Sequence, residues 1–102
     1  MDADIDRPLR ILGARPRRVA LLALSRDPGG ATVAEVARLL SADPTDATIA
    51  LRHCHLPKLE RRGYVDWDRE TGDLSRGPRF AEIEALLDLF ETSADDVPFD
   101  WP

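Results

Sequence analysis

Along this chain the apolar side chains recur every three or four residues in several stretches, and strong breakers separate them. The lead-in at 7–13, RPLRILG, reads as a short helical or extended segment ending at Gly13. Pro16 suits the first turn of a helix, where its missing N–H costs nothing. That helix, roughly 16–26, carries Val19, Leu22 and Ala23 on one face, widened by Leu21 and Leu24. DPGG at 27–30 stops it. Thr32, with Glu35 three residues on, is a capping box. It opens a second helix over about 33–41, whose Val33, Val36, Ala37 and Leu40 make an apolar stripe.

A tight turn, Ser41-Ala42-Asp43-Pro44, follows, and Thr45 or Asp46 is expected to cap a third helix. That helix runs to about Arg62 and stops at Gly63, a favoured residue just past a helix end. Pro57 lies inside it, removing one hydrogen bond and crowding the carbonyl of His53, so a kink or break is expected near 53–57. Next comes a hairpin. Val65, Trp67 and Leu74 share one face, and Tyr64, Asp66 and Asp68 the other. Arg69-Glu70-Thr71-Gly72 supplies the turn, with Gly72 taking the positive φ. Pro78 opens a fourth helix, 79–92, with an apolar stripe of Phe80, Ile83, Leu87 and Phe90.

Three helices, a hairpin and a further helix, with a short turn between the second and third helices, is the order of a winged helix-turn-helix domain. The expected class is mainly α with a small β-hairpin wing, that is α+β. The expected organisation is an acidic flexible N-terminus (1–8), the winged domain (9–78), a C-terminal helix (79–92) and an acidic tail (93–102).

The net charge of −5 over 102 residues hides a division. All 14 basic residues fall between Arg7 and Arg79, among only nine acids; the two ends carry the remaining ten acids and no base. The middle is therefore mildly basic. A lone cysteine excludes an intramolecular disulfide. No apolar run approaches the ~20 residues of a membrane span, and MDADIDR is acidic where a signal peptide is basic. A cytoplasmic protein is expected. Thirteen of the 14 bases are Arg and 13 of the 19 acids are Asp. Scarce lysine with abundant aspartate resembles the proteins of salt-loving archaea; GC-rich coding gives a similar bias.

The segment LPKLERRGYV places Leu56, Leu59, Gly63 and Val65 where regulators of the ArsR and MarR kinds have their leucine pair, helix-ending glycine and first wing strand. From RPRRVALLAL through HLPKLERRGYVDWDRETG the chain is similar to small winged-helix proteins of haloarchaea, known as predicted transcriptional regulators. The similarity spans roughly residues 9–90. It implies a DNA-binding regulator; the apolar fourth helix adds the expectation of a homodimer, and the composition that of work in high salt.

His53-Cys54-His55 is the one cluster of metal-ligand residue types. Zinc needs ligands converging within about 2.0–2.3 Å of one point, and consecutive helical residues point about 100° apart. The same divergence disfavours a Cys–His catalytic pair, and no phosphate loop or nucleophile elbow is present. No enzyme activity, cofactor, metal or small-molecule ligand is inferred. A site shared between subunits is the remaining metal reading. Otherwise Cys54 packs inward as a small hydrophobe and one histidine satisfies a backbone group.

In a helix-turn-helix the N-terminal half of the second helix enters the major groove. Here it offers Thr45, Asp46, Thr48, Arg52 and His53 to double-stranded DNA. Arg52 suits guanine through its bidentate fork, and Thr45 and Thr48 a phosphate or a thymine methyl. Arg69, Arg76 and Arg79 near the wing, and Arg15, Arg17 and Arg18 at the first helix start, are candidate phosphate contacts. Asp66, Asp68, Glu70 and Asp73 oppose them by loading the wing with negative charge. Phe80, Ile83, Leu86, Leu87 and Phe90 are the candidate dimer face, although the same helix could fold back on the first helix of its own subunit. The alternative function is a winged-helix protein-interaction module, with the tail's Phe99 and Trp101 docking on a neighbour.

Overall fold

The computed structural model describes residues 6–94 and 101–102. In these, α1 (Asp6–Ile11), α2 (Arg15–Arg26), β1 (Ala31–Thr32), α3 (Val33–Leu40) and α4 (Pro44–Ala50) lead into a π-helical turn, Leu51–His55. Then come α5 (Leu56–Arg61), β2 (Val65–Trp67), β3 (Asp73–Arg76) and α6 (Phe80–Thr92). The fold is mainly helical α+β. Residues 1–5 and 95–100 lie outside the described residues, and with them most of the acidic N-terminus and tail, including Phe99. Residues 6–8, expected to be flexible, begin α1.

Local chemistry sets the boundaries. Pro16 sits in the first turn of α2. The Thr32 hydroxyl accepts from the Glu35 N–H at 3.1 Å and opens α3. Asp43, rather than Thr45 or Asp46, caps α4: its Oδ1 accepts from the Thr45 N–H at 3.1 Å, with Pro44 in the first turn. That hydrogen bond holds the Asp43 carboxyl below the usual carboxylate range.

The break expected at Pro57 takes the form of the π-helical turn. The Leu56 N–H donates to the Leu51 carbonyl, five residues back. Residues 50, 51, 55 and 56 all keep right-handed helical torsions, so the helical path is continuous. Pro57 falls in the first turn of α5, where no N–H is needed. One wider turn thus absorbs a proline that a regular helix interior would resist by about 3 kcal/mol.

The sheet has three antiparallel strands in the order β1-β3-β2. Trp67 pairs with Leu74, and Val65 with Arg76. Strand β1, two residues long, adds Ala31 opposite Leu74 and Thr32 opposite Asp73. Gly63 (φ 77°) and Gly72 (φ 80°) take the left-handed backbone that ends α5 and closes the hairpin. Asp68 builds that hairpin turn, its Oδ1 accepting from the N–H groups of Glu70 and Thr71.

Leu21, Leu24, Leu51, Leu56, Leu59, Leu74, Ile83 and Leu87 are among the fully buried side chains. Each contributes about 1.5–3 kcal/mol on burial. Tyr64, expected on the outer face, is buried, and burial pushes its hydroxyl pKa up.

Helix α6 spends three of the five expected dimer-face residues on its own chain. Phe80, Ile83 and Leu87 are buried in the chain's own core, with Leu86 and Phe90 packed against it. The helix folds back on α2 instead, tied by Ser25 Oγ–Glu84 at 2.8 Å and Arg26–Glu91 at 2.7 Å. Trp101 stacks on Phe90 with ring centroids 5.5 Å apart. The stripe closes one subunit. Among the described residues no helix is long and apolar enough to cross a membrane.

Candidate nucleic-acid interface

Helices α3 and α4 are joined by a turn of three residues, Ser41 to Asp43, in which Ser41 Oγ accepts from the Asp43 N–H at 3.2 Å. Beyond it α4 and the π turn expose Thr45, Asp46, Ile49, His53 and Cys54, with Thr48 and Arg52 half-buried. The hairpin of β2 and β3 stands beside this helix. Arg52 bridges the two: its guanidinium lies 5.9 Å from the centre of the Trp67 ring. Arg69 covers the same ring at 4.2 Å and is neutralised by Glu60, whose oxygens accept at 3.0 and 3.3 Å. Among the described residues Arg52 has no carboxylate within 4.0 Å. It is a cation held in place by an aromatic face and left with its donors to spend.

Thr45, Asp46 and His53 are exposed where the sequence put them. Several predicted phosphate contacts are committed elsewhere. Arg17 is 9% exposed and donates to the carbonyls of Ile11 and Arg10 and to His55 Nδ1. Arg18 donates to the Leu12 carbonyl and lies 5.8 Å from the Trp101 ring centre. Arg76 donates to the Leu24 and Ser25 carbonyls, pairs with Glu84 at 3.6 Å and covers Phe80. These three arginines hold the fold together. Arg69 is tied to Glu60, and Arg79, though exposed, makes a two-pronged pair with Glu82 at 2.9 Å.

The histidine–cysteine cluster also differs from expectation. Cys54 is exposed, not packed inward. His55 turns toward Arg17 instead of a backbone group. Burial, then the charges of Arg17 and Lys58, hold its pKa below the ordinary histidine value. Two features were missed in the sequence. Ile49 is 53% exposed in the middle of the outward row. Lys58, Arg61 and Arg62 form a basic group with α1, visible in the string KLERR but taken only as a helix end.

Residues 9–75, from α1 to the last residues of β3, match a protein family described as Domain of unknown function (DUF7344). The chain belongs to DUF7344. No curated protein and no solved structure matches it. The shared DUF7344 segment holds α3, α4 and the hairpin, and so the whole Arg52–Trp67 arrangement, while α6 lies beyond it.

Proposed function

We propose that this chain is a winged helix-turn-helix DNA-binding regulator that presents α4 to the major groove and the β2–β3 hairpin to the flank. One observation carries the reading: Arg52, over the Trp67 ring and, among the described residues, without a carboxylate, projects from the π turn that continues the second helix of a tight helical pair, beside a β-ribbon. Thr45 and Thr48 on the approach to it can hold phosphate or a thymine methyl, and Ile49 adds apolar contact with a methyl group. A bidentate contact of Arg52 with guanine discriminates by about 1–3 kcal/mol. The composition agrees with work in a salty cytoplasm, where base contacts must replace much of the ionic attraction.

The test is enrichment of genomic DNA fragments by the intact chain across a range of salt. The recovered site is then measured with Arg52→Ala. The expected result is a sequence-specific site whose affinity falls about 5- to 150-fold in the variant, the equivalent of the same 1–3 kcal/mol. Unchanged affinity would falsify the role of Arg52.

A second reading, a protein-interaction module, is favoured by the charge of the same face. Asp66, Asp68, Glu70 and Asp73 are exposed on the hairpin beside the exposed Ile49. If no duplex is retained at any salt, and an Ile49→Glu variant loses a protein partner that Arg52→Ala keeps, this second reading replaces the first.

A further inference from the structure

We propose that the cleft between α1 and the end of α5 binds a small phosphate-bearing anion of at least two negative charges, free pyrophosphate or the phosphate tail of a nucleotide. The cleft holds about 200 Å³ and is lined by Arg7, Arg10, Arg17, Lys58, Arg61 and Arg62, with Ile11 the remaining wall. No acid lines it. That volume is below the roughly 300–1,000 Å³ of pockets for drug-sized molecules, so it suits a phosphate group and its immediate neighbour.

Arg17 gives the cleft its specificity for charge. The residue is 9% exposed, and the three acceptors of its guanidinium are all neutral: the Ile11 carbonyl at 2.8 Å, the Arg10 carbonyl at 3.0 Å and His55 Nδ1 at 3.1 Å. A buried cation served only by neutral groups keeps most of its field. Among the described residues Arg10, Lys58, Arg61 and Arg62 likewise have no carboxylate within 4.0 Å. Attraction to the last carbonyls of α5 accounts for Lys58, Arg61 and Arg62 singly. It does not account for Arg10 and Arg17 facing them from α1 and α2. The depressed pKa of His55 reports the same field from inside, through Arg17 and Lys58 after burial. A phosphate accepts from several guanidinium donors at once, with two-pronged geometry that a chloride ion lacks.

This site adjoins the proposed reading face without sharing its side chains: Arg52 and the cleft's Lys58, Arg61 and Arg62 lie on one continuous helical path, about 9–15 Å apart at 1.5 Å per residue. The inference stands whether or not the chain reads DNA.

The experiment is calorimetric titration of the full chain with inorganic pyrophosphate, and separately with ATP, at fixed potassium chloride. Arg61→Gln/Arg62→Gln is the site variant. Arg38→Gln, an exposed cation on α3 outside the cleft, is the control. Saturation at one anion per chain is expected, weakened at least tenfold in the site variant and unchanged in the control. The His55 ring resonance should titrate at higher pH once the anion is bound than in the free chain. Equal affinity for the two probes assigns the site to free polyphosphate, and tighter ATP binding assigns it to a nucleotide tail. The proposal is overturned by non-saturating heats, by equal weakening in Arg38→Gln, or by ATP binding without pyrophosphate binding. It is also overturned if pyrophosphate binds only after Asp2→Asn and Asp4→Asn, which would hand the cleft to the chain's own aspartates.

Discussion

Arg17 and Arg52 carry the same side chain in opposite settings. Arg17 spends its donors on two carbonyls and a histidine; Arg52 is braced on Trp67 and keeps its donors. Because an arginine can only donate, His55 Nδ1 must be the acceptor of the Arg17 bond, which leaves the histidine proton on Nε2. Protonating Nδ1 would set two cations against each other at 3.1 Å. Burial first, then the charges of Arg17 and Lys58, thus hold the folded pKa of His55 below its unfolded value of about 6.5. In the interval between the two values the unfolded chain binds the extra proton, so stability falls as the pH drops from about 6.5 through the folded pKa. Denaturant titrations should show wild-type stability declining over that interval and His55→Gln declining less. Equal declines would mean that other groups carry the acid sensitivity. The sequence offered Arg17, Arg18 and Arg76 as phosphate contacts because they are arginines near helix and strand ends. The carbonyls of Ile11, Leu12, Leu24 and Ser25 that claim them converge only once α1, α2 and β3 are packed, and no local spacing encodes that.

At the scale of elements, periodicity was a sound guide to where helices run and a poor one to what their stripes meet. Residues 33–40 and 80–92 are helices, as Val33, Val36, Ala37 and Phe80, Ile83, Leu87 foretold. An apolar stripe cannot say whether its cover is the same chain or another copy, and in α6 the chain's own core covers Phe80, Ile83 and Leu87. Leu87 and Leu89 now separate the two cases. Leu87 is fully buried and Leu89 is 64% exposed. Leu87→Glu puts an unpaired carboxylate in the core, a loss on the order of 4 kcal/mol or more against a typical total of about 5–15 kcal/mol. It should lower the melting temperature steeply, or abolish the transition where the total is near the low end of that range, rather than release a folded monomer of unchanged stability. Leu89→Glu should change stability by no more than about 0.5 kcal/mol. Circular-dichroism melts combined with sedimentation check both, and a folded Leu87→Glu of lower mass would restore α6 as an interface. Strand β1 was missed because two residues are too few to show a period of two. The π turn was missed because Pro57 announces only that something must give, not how.

On the scale of the molecule, the acidic total and the basic middle were both legible, yet the arrangement of the bases was not. Arg17, Arg18 and Arg76 are absorbed into the fold, Arg69 and Arg79 are paired, and Arg10, Arg61 and Arg62 gather at the cleft. The proposed reading face is left with Arg52 beside the acidic hairpin residues Asp66, Asp68, Glu70 and Asp73. Counterion release gives log K against log salt a slope of about −0.9 for each phosphate neutralised. With one or two such contacts per protomer, the slope should be no steeper than about −2. Salt also shortens the screening length from about 10 Å at 0.1 M to about 3 Å at 1 M, which weakens repulsion between the acidic hairpin and the duplex and flattens the dependence further. Specific affinity for the recovered site should therefore persist into molar potassium chloride, where a protein gripping six or more phosphates would be released. Fluorescence anisotropy of that duplex from about 0.2 to 2 M salt measures the slope directly. A value steeper than about −4 per protomer would mean that the phosphates are gripped by a larger set of cations, and Arg10, Lys58, Arg61 and Arg62 at the cleft are where such a set exists. In that event the docking surface is the cleft end of the molecule, and Arg61→Gln/Arg62→Gln, not Arg52→Ala, would be the variant that loses DNA.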